Sequence, residues 1–348
     1  MDLETPKRWS RPLAGESEVE RIDPFMRLSR CAAVTPTFNG AVIESFDAVW
    51  RTCSFDSGDA RVATSIWQSA DGVRTVSEIA QSIGFDVPSS LELIQSLYEH
   101  GLLVNSGDSP VPPLSFHDHA VSIGRTWMAN AFVRSRVSEL SSENANRRML
   151  LAYLLDRYHY ISSAASHISR AIAKAPNDRL RFLLSQHLSE EFWHGAWMKD
   201  GLLAAGFTEH QIDESLPLPA TLGAMCYLQM LADTDTLGYF VTIGVRESHP
   251  TDNAESERQV WDRWVQEGIV PEAVIAPFRD HQLLDMAEDH AELSAEAFVG
   301  LPWLVKDQQT HIFRVLSNFS RLTVQSALAI FQYCEDSRNP VPFQGLSF

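Results

Sequence analysis

The sequence predicts a mainly α protein, in which a small winged-helix (α+β) unit is followed by a bundle of about seven helices. Three observations carry this. The stretch NSGDSPVPPLSF, from Asn105 to Phe116, packs prolines, a glycine and small polar residues between two patterned regions, as a linker does. Upstream, Thr37 to Val104 has the rhythm of short helices beside the strand-like FNGAVIESF. Downstream every long segment has helical period, and no repeat of about 20 to 50 residues sets up a solenoid.

In chain order, residues 1–36 show no sustained period and are expected as an arm. Residues 37–104 carry ARVATSIWQSA, DGVRTVSEIAQSIG and SSLELIQSLYEHGLLV as three short helices. Thr75 or Ser77 is placed to cap the second with Glu78 near its start, Gly84 to end it, and Ser89 or Ser90 to cap the third. Residues 105–116 form the linker. Residues 117–348 hold the bundle, read from ENANRRMLLAYLLDRYHYISSAASHISRAIA, DRLRFLLSQHLSEEFWHGAWMKDGLLAAG, LPATLGAMCYLQMLADTDTLGYFVTIGVRES, SERQVWDRWVQEG, APFRDHQLLDMAEDHAELSAEAFVG and DQQTHIFRVLSNFSRLTVQSALAIFQYC.

A chain of 348 residues with 45% hydrophobic content is long enough for two globular cores. Its formal charge of −17 weighs against nucleic acid or an anionic membrane as partner, because phosphate binding needs clustered Lys and Arg. The opening residues lack the apolar run of a signal peptide, and no long apolar stretch follows, so a cytoplasmic location is expected. Cys31, Cys53, Cys226 and Cys334 are too scattered for a metal knuckle or a disulfide framework. They read as reduced structural thiols, with Cys226, amid GAMCYLQML, as a core residue.

Chemistry is carried by two matched triplets. His187, Glu191 and His194 form one, and His281, Asp285 and Glu288 the other, each spaced i, i+4, i+7. At 100° per residue the members of a triplet fall within about 60° of one another, on one face of a helix. Imidazole and carboxylate used twice in a helical chain is what a bundle needs to hold iron or manganese. His290 points about 180° away from His281 and is a weaker candidate, as is Asp289. Glu247 ends the apolar face formed by Tyr239, Phe240 and Ile243, and is either a helix-end surface residue or an inward ligand.

The phrases IWQSADGVRTVSEIAQSIG and LIQSLYEHGLLV resemble the peptide-chaperone family of pyrroloquinoline-quinone biosynthesis, whose module recurs as the precursor-recognition element of ribosomal peptide-modifying enzymes. The resemblance implies that a leader or carrier peptide adds a strand to the small sheet, with Glu92 to Leu103 and the strand near Ala41 to Phe46 lining the groove. A generic DNA-binding winged helix, or an inert or dimerising module, is the plainer alternative. Residues 120 to 335, above all LSEEFWHGAWMKDGLLAAGF, resemble the haem-oxygenase-like superfamily, which includes pyrroloquinoline-quinone synthase, the TenA thiaminases and non-haem diiron oxidases.

The diiron branch implies a ligand set of His187, His194, Glu247, His281, Asp285 and Glu288. His187 stands where that branch has Glu and Glu288 where it has His, so three imidazoles and three carboxylates remain. This is either a compensated exchange or a degenerate site. Glu191 is available as a bridging or supporting carboxylate. Tyr158, His159 and Tyr160, with Tyr239, are expected to line a substrate pocket, and Arg246 to anchor a carboxylate. The implied protein is an oxidase or oxygenase with two irons and dioxygen as co-substrate. It would act as a homodimer on a peptide or amino-acid-derived small molecule in ribosomal peptide natural-product biosynthesis. A cofactor-free oxidase of the pyrroloquinoline-quinone synthase type, or a non-catalytic peptide-binding scaffold, are the rival readings.

Overall fold

The computed structural model describes residues 27–30, 36–39, 42–45, 52–54, 57–99, 102–105, 110–134, 146–246, 254–287 and 291–342. Its N-terminal part contains β1 (Arg27–Arg30), β2 (Pro36–Asn39), β3 (Val42–Ser45), β4 (Thr52–Ser54), α1 (Ser57–Ser69), β5 (Asp71–Thr75), α2 (Val76–Ser82), α3 (Val87–Glu99) and β6 (Leu103–Asn105). The strands make two antiparallel sheets, ordered β5-β1-β6 and β2-β3-β4.

Arg27–Arg30, expected as part of a patternless arm, is therefore the middle strand of the first sheet. Four residues are too short for a period to register, yet Leu28 is enough to hold them. It is buried with Ile66, Val76, Ile79, Ile94 and Leu97, the apolar faces of α1, α2 and α3. Thr75 and Glu78 form the expected capping box, each side chain accepting the other's main-chain N–H at 3.2 and 2.7 Å. Gly84, at φ 74°, ends that helix with a left-handed residue. Asp86, rather than Ser89 or Ser90, caps α3 by accepting the Ser89 N–H at 2.9 Å, and Ser90 is buried. The strand near Ala41 to Phe46, expected to line a peptide groove, contains β3, which pairs with β2 on one side and β4 on the other.

The helical part runs α4 (Pro113–Arg134), α5 (Arg147–Ser162), α6 (Ala164–Lys174), α7 (Asp178–Glu191), α8 (His194–Ala204), α9 (Glu209–Asp213), α10 (Pro219–Thr234), α11 (Thr236–Arg246), α12 (Ala254–Gln266), α13 (Glu272–Ala287), α14 (Ala291–Glu296) and α15 (Lys306–Glu335). About seven helices were expected, and the described residues hold twelve segments, because three long periodic stretches are broken and because α4, α9 and α14 are separate helices. Ser163 separates α5 from α6, Phe192 and Trp193 separate α7 from α8, and Asp235 separates α10 from α11. Asp235 makes its break by accepting the Gly238 N–H at 2.9 Å, a local bond that competes with the helix. Pro113 opens α4, where its missing N–H costs nothing, so the expected linker gives its last residues to a helix.

Gly238 to Val245 of α11 are all buried, as a helix apolar on every side must be. Around it α4, α6, α14, the first half of α15 and Leu180 and Leu184 of α7 build one apolar cluster. A second cluster joins α5, α8, α12, α13 and the far end of α15. The α7–α8 joint lies where the two meet. Tyr98 of α3 stacks on His119 of α4, ring centroids 4.4 Å apart, which seats the small unit on the helical part. No helix among the described residues is long and apolar enough to cross a membrane.

Candidate metal centre

Glu191 closes α7 and His194 opens α8, so the triplet expected on one helix is shared between two. Trp193, at φ −96° and ψ −10°, leaves the helical ladder for one step, and Phe192 and Trp193 stay more than half exposed. His187, Glu191 and His194 are nevertheless all buried, at 2%, 7% and 1% exposure, and so is His281 on α13, at 6%. Four ionisable side chains taken from water at one place cost several kcal/mol unless something compensates them.

Helix packing brings three of them together. An added Cβ on Gly201 of α8 would sit 2.9 Å from the Val274 carbonyl oxygen of α13, so the two backbones touch there. Seven residues back along α8 is His194 and seven residues forward along α13 is His281, whose rings meet with centroids 4.4 Å apart at 75°. The helices thus run antiparallel in one register, and two turns of each carry the close approach at Gly201 to the histidine pair. On its other side α8 is clamped against α5, where Gly195 lets the backbone close on Ser162. Pro277 lies inside α13, one turn before His281, and removes a ladder bond there.

Glu191, His194 and His281 offer one ligand atom each, all within 4.8 Å of one another. His194 Nδ1 donates to Glu191 Oε2 at 3.1 Å, which fixes the tautomer and leaves Nε2 as the lone-pair nitrogen. The Trp197 ring lies 4.9 Å from that imidazole. Nitrogen and oxygen donors stand about 2.1 Å from a shared ion, hence up to about 4.2 Å apart, so small side-chain rotations suffice to bring the trio onto a metal. One carboxylate and two imidazoles form the donor set of non-haem iron(II) sites. His187 lies one turn earlier on α7 and outside the trio. Asp285 is one turn past His281 on the α13 backbone, while Glu247, Glu288, Asp289 and His290 lie outside the described residues.

No sequence model of a known protein family matches the chain, and no curated protein matches it in sequence. Among solved structures, a domain of unknown function with a haem oxygenase-like fold from Shewanella denitrificans OS217 aligns over 64% of this chain and 95% of its own, at 17% identity and a TM-score of 0.52. A TenA homolog from Pseudomonas syringae pv. tomato DC3000 aligns over 64% and 94%, at 11% identity and a TM-score of 0.49. The helical part has the haem-oxygenase-like fold.

Within this haem-oxygenase-like bundle the aromatic residues expected to share a pocket are divided. Tyr158 and Tyr160 pack on the second apolar cluster, and His159 Nε2 bonds Ser215 Oγ at 2.8 Å, burial lowering its pKa from 6.5 to about 4. Tyr239 belongs to the first cluster, its hydroxyl 2.8 Å from His167 Nδ1. Their spacing along separate helices gave no sign of this division. Arg246, expected to anchor a carboxylate, has an Nη1 3.4 Å from His167 Nε2. A guanidinium only donates, so His167 accepts there and carries its proton on Nδ1, toward Tyr239.

The sequence reading missed His167, although SSAASHISRAIA places it in phase with Ala164, Ile168 and Ala171, a polar group on an apolar face. It also missed Asp156, buried and bonded to Leu218 N and Thr221 Oγ1, whose pKa burial raises from 3.8 to about 6. Cys226, read as core, is exposed, because the buried face of α10 follows Thr221, Ala224, Leu228 and Leu231 and Cys226 lies about 200° round from Ala224.

Proposed function

We propose that the protein is a metal-dependent oxidase or oxygenase, with iron held by Glu191, His194 and His281, that acts on a peptide or an amino-acid-derived substrate. The carrying observation is the buried trio of two imidazoles and one carboxylate within 4.8 Å. Bound ferrous iron supplies the electrons and open positions that dioxygen activation requires and that side chains lack. The chain's own groups do the rest. Glu191 orients His194 and keeps its proton on Nδ1, and the two apolar clusters on either side limit water at the centre. His187, Asp285, Glu247 and Glu288 are the residues to complete a second ion's ligand set. The N-terminal unit is read as a winged-helix module that captures a leader peptide, with the β6 edge beside α3 as the strand-addition site. Tethered to the bundle, it would raise the local substrate concentration.

Anaerobic titration with ferrous iron tests the reading. Saturable binding to the wild type is expected, followed on exposure to air by oxygen uptake and a transient visible absorbance. His194→Ala and His281→Ala are expected to abolish binding with an unchanged far-ultraviolet circular dichroism spectrum. Unchanged metal stoichiometry in both variants would sink the assignment, and substrate oxidation by metal-free protein would replace it with cofactor-free chemistry.

A further inference from the structure

We propose that a second site, where the start of α5, the end of α8 and the chain beyond α15 meet, binds a small organic carboxylate with an apolar body. An open groove of about 510 Å³ lies there, lined by Arg147, Arg148, Leu151, Phe207, Gln211 and Val341 among others, with Arg147 and Gln211 exposed at its rim. That volume falls within the range of about 300 to 1,000 Å³ typical of small-molecule sites.

Charge is the first argument. The chain has 45 acidic and 28 basic residues, and several described arginines are matched by carboxylates, as Arg170 is by Asp233, Arg279 by Asp262 and Glu272, and Arg338 by Asp336. Arg147 and Arg148, adjacent at the groove, make no salt bridge among the described residues, although the Arg148 charge acts on the Asp336 carboxylate. Among those residues their hydrogen bonds go to main-chain oxygens. Arg148 is spent as a clasp, donating to the carbonyls of Cys334 in the last turn of α15 and of Asp336 and Asn339 just beyond it. Among the described residues Arg147 gives one bond, from Nη2 to the Ala205 carbonyl at 2.9 Å, and its side chain is exposed with further N–H donors on the fork.

The second argument is the arrangement of the other walls. Gln211 uses Oε1 to accept the Thr208 N–H at 2.9 Å, so its amide NH₂ remains as a neutral donor at the rim. Leu151, Phe207 and Val341 supply apolar surface. A planar guanidinium with an amide donor suits a carboxylate, and apolar walls suit a hydrocarbon or aromatic body attached to it. The site sits at the far end of α8 from His194, about 16 Å away at 1.5 Å per residue, so its ligand does not reach the metal trio. A surface of net negative charge disfavours diffuse anion binding, which makes saturable binding here a specific event.

The test uses the full chain and 3-phenylpropionate as probe, titrated calorimetrically at low ionic strength beside the neutral 3-phenylpropanamide. One site per chain with a dissociation constant below about 1 mM is expected for the acid, and at least tenfold weaker binding for the amide. Arg147→Gln should weaken the acid at least tenfold and bring it level with the amide, Arg147→Lys should recover part of the loss, and His194→Ala should change nothing. The comparison of acid with amide on the wild type needs no variant to fold. Equal affinity for acid and amide, no saturable binding of the acid, or a folded Arg147→Gln that binds as the wild type does, would each overturn the proposal.

Discussion

Replacing Gly201 with alanine isolates the contribution of helix spacing to the metal centre without touching a ligand. Intrinsic propensity favours the change by about 1 kcal/mol in a helix interior. Packing opposes it, because the new methyl would lie 2.9 Å from the Val274 carbonyl oxygen and 3.0 Å from the Phe278 ring. The first obstacle is backbone of another helix, so α13 must shift, and overpacking of this kind costs about 1 to 3 kcal/mol. The two effects leave a net loss of about 0 to 2 kcal/mol, small enough for the variant to fold. A shift of several tenths of an ångström passes two turns along both helices to His194 and His281. Metal sites hold ligand distances to within about 0.2 Å, so ferrous or cobaltous affinity should fall at least tenfold. Gly195→Ala provides a comparison, since its methyl first meets a side-chain oxygen, Ser162 Oγ at 2.6 Å, with the Ser162 Cα behind it at 3.3 Å. Calorimetric metal titration beside thermal melting of the metal-free proteins measures both quantities. A Gly201→Ala protein stabilised by the full propensity gain, with wild-type metal affinity, would refute the close-approach argument.

Two further substitutions probe buried polar groups away from the trio. Asp156 has its pKa raised from 3.8 to about 6 by burial, so its stabilising effect is present below about pH 3.8 and is lost as pH rises through 6. Asp156→Asn should remove a decline worth at most about 3 kcal/mol between pH 4 and 7, read by urea denaturation. His119 and His159, lowered to about 4 by burial, act in the opposite sense. Their contribution is present above pH 6.5 and lost as pH falls toward 4, so the variant's stability should decline only on the acid side. Tyr239→Phe deletes the partner of His167 Nδ1 in a fully buried setting and should cost about 1 to 3 kcal/mol. A loss below about 0.5 kcal/mol would show that the Tyr239 hydroxyl does not hold His167.

Which features were legible from sequence follows from their range. Helical period, the Thr75–Glu78 capping box and the Gly84 stop are encoded within four residues, and each appears where the pattern puts it. The burial of His187, Glu191, His194 and His281 was also readable, because ionisable residues in phase on an apolar face have few other places to go. Helix breaks were not readable. SEEFWHGAW keeps its period straight through Phe192 and Trp193, and the interruption comes from the fit of α8 between α5 and α13, at Gly195 and Gly201. The pairing of Arg27–Arg30 with strands more than forty residues away depends likewise on long-range contacts. The separation of Tyr158 from Tyr239 needed the division of the bundle into two apolar clusters, which no local pattern announces.

The buried trio also bears on whether the altered ligand pattern marks a working site or a relic. Without a metal, Glu191, His194 and His281 carry desolvation costs, toward which the 3.1 Å hydrogen bond between Glu191 and His194 is one compensation. A bundle with no use for a metal would be at least as stable with apolar residues of similar volume in those places. Glu191→Met, His194→Leu and His281→Met combined should therefore leave metal-free stability unchanged or raise it by about 1 to 4 kcal/mol. Ferrous iron at a thousandfold excess over its dissociation constant should stabilise the wild type by about 4 kcal/mol and the triple variant not at all. The order of stability of the two proteins would then close or reverse on adding metal, which is the thermodynamic signature of side chains placed for a ligand. If the triple variant is instead several kcal/mol weaker than wild type in metal-free buffer, and iron stabilises neither, the three residues are a structural polar network and the oxidase reading loses its foundation.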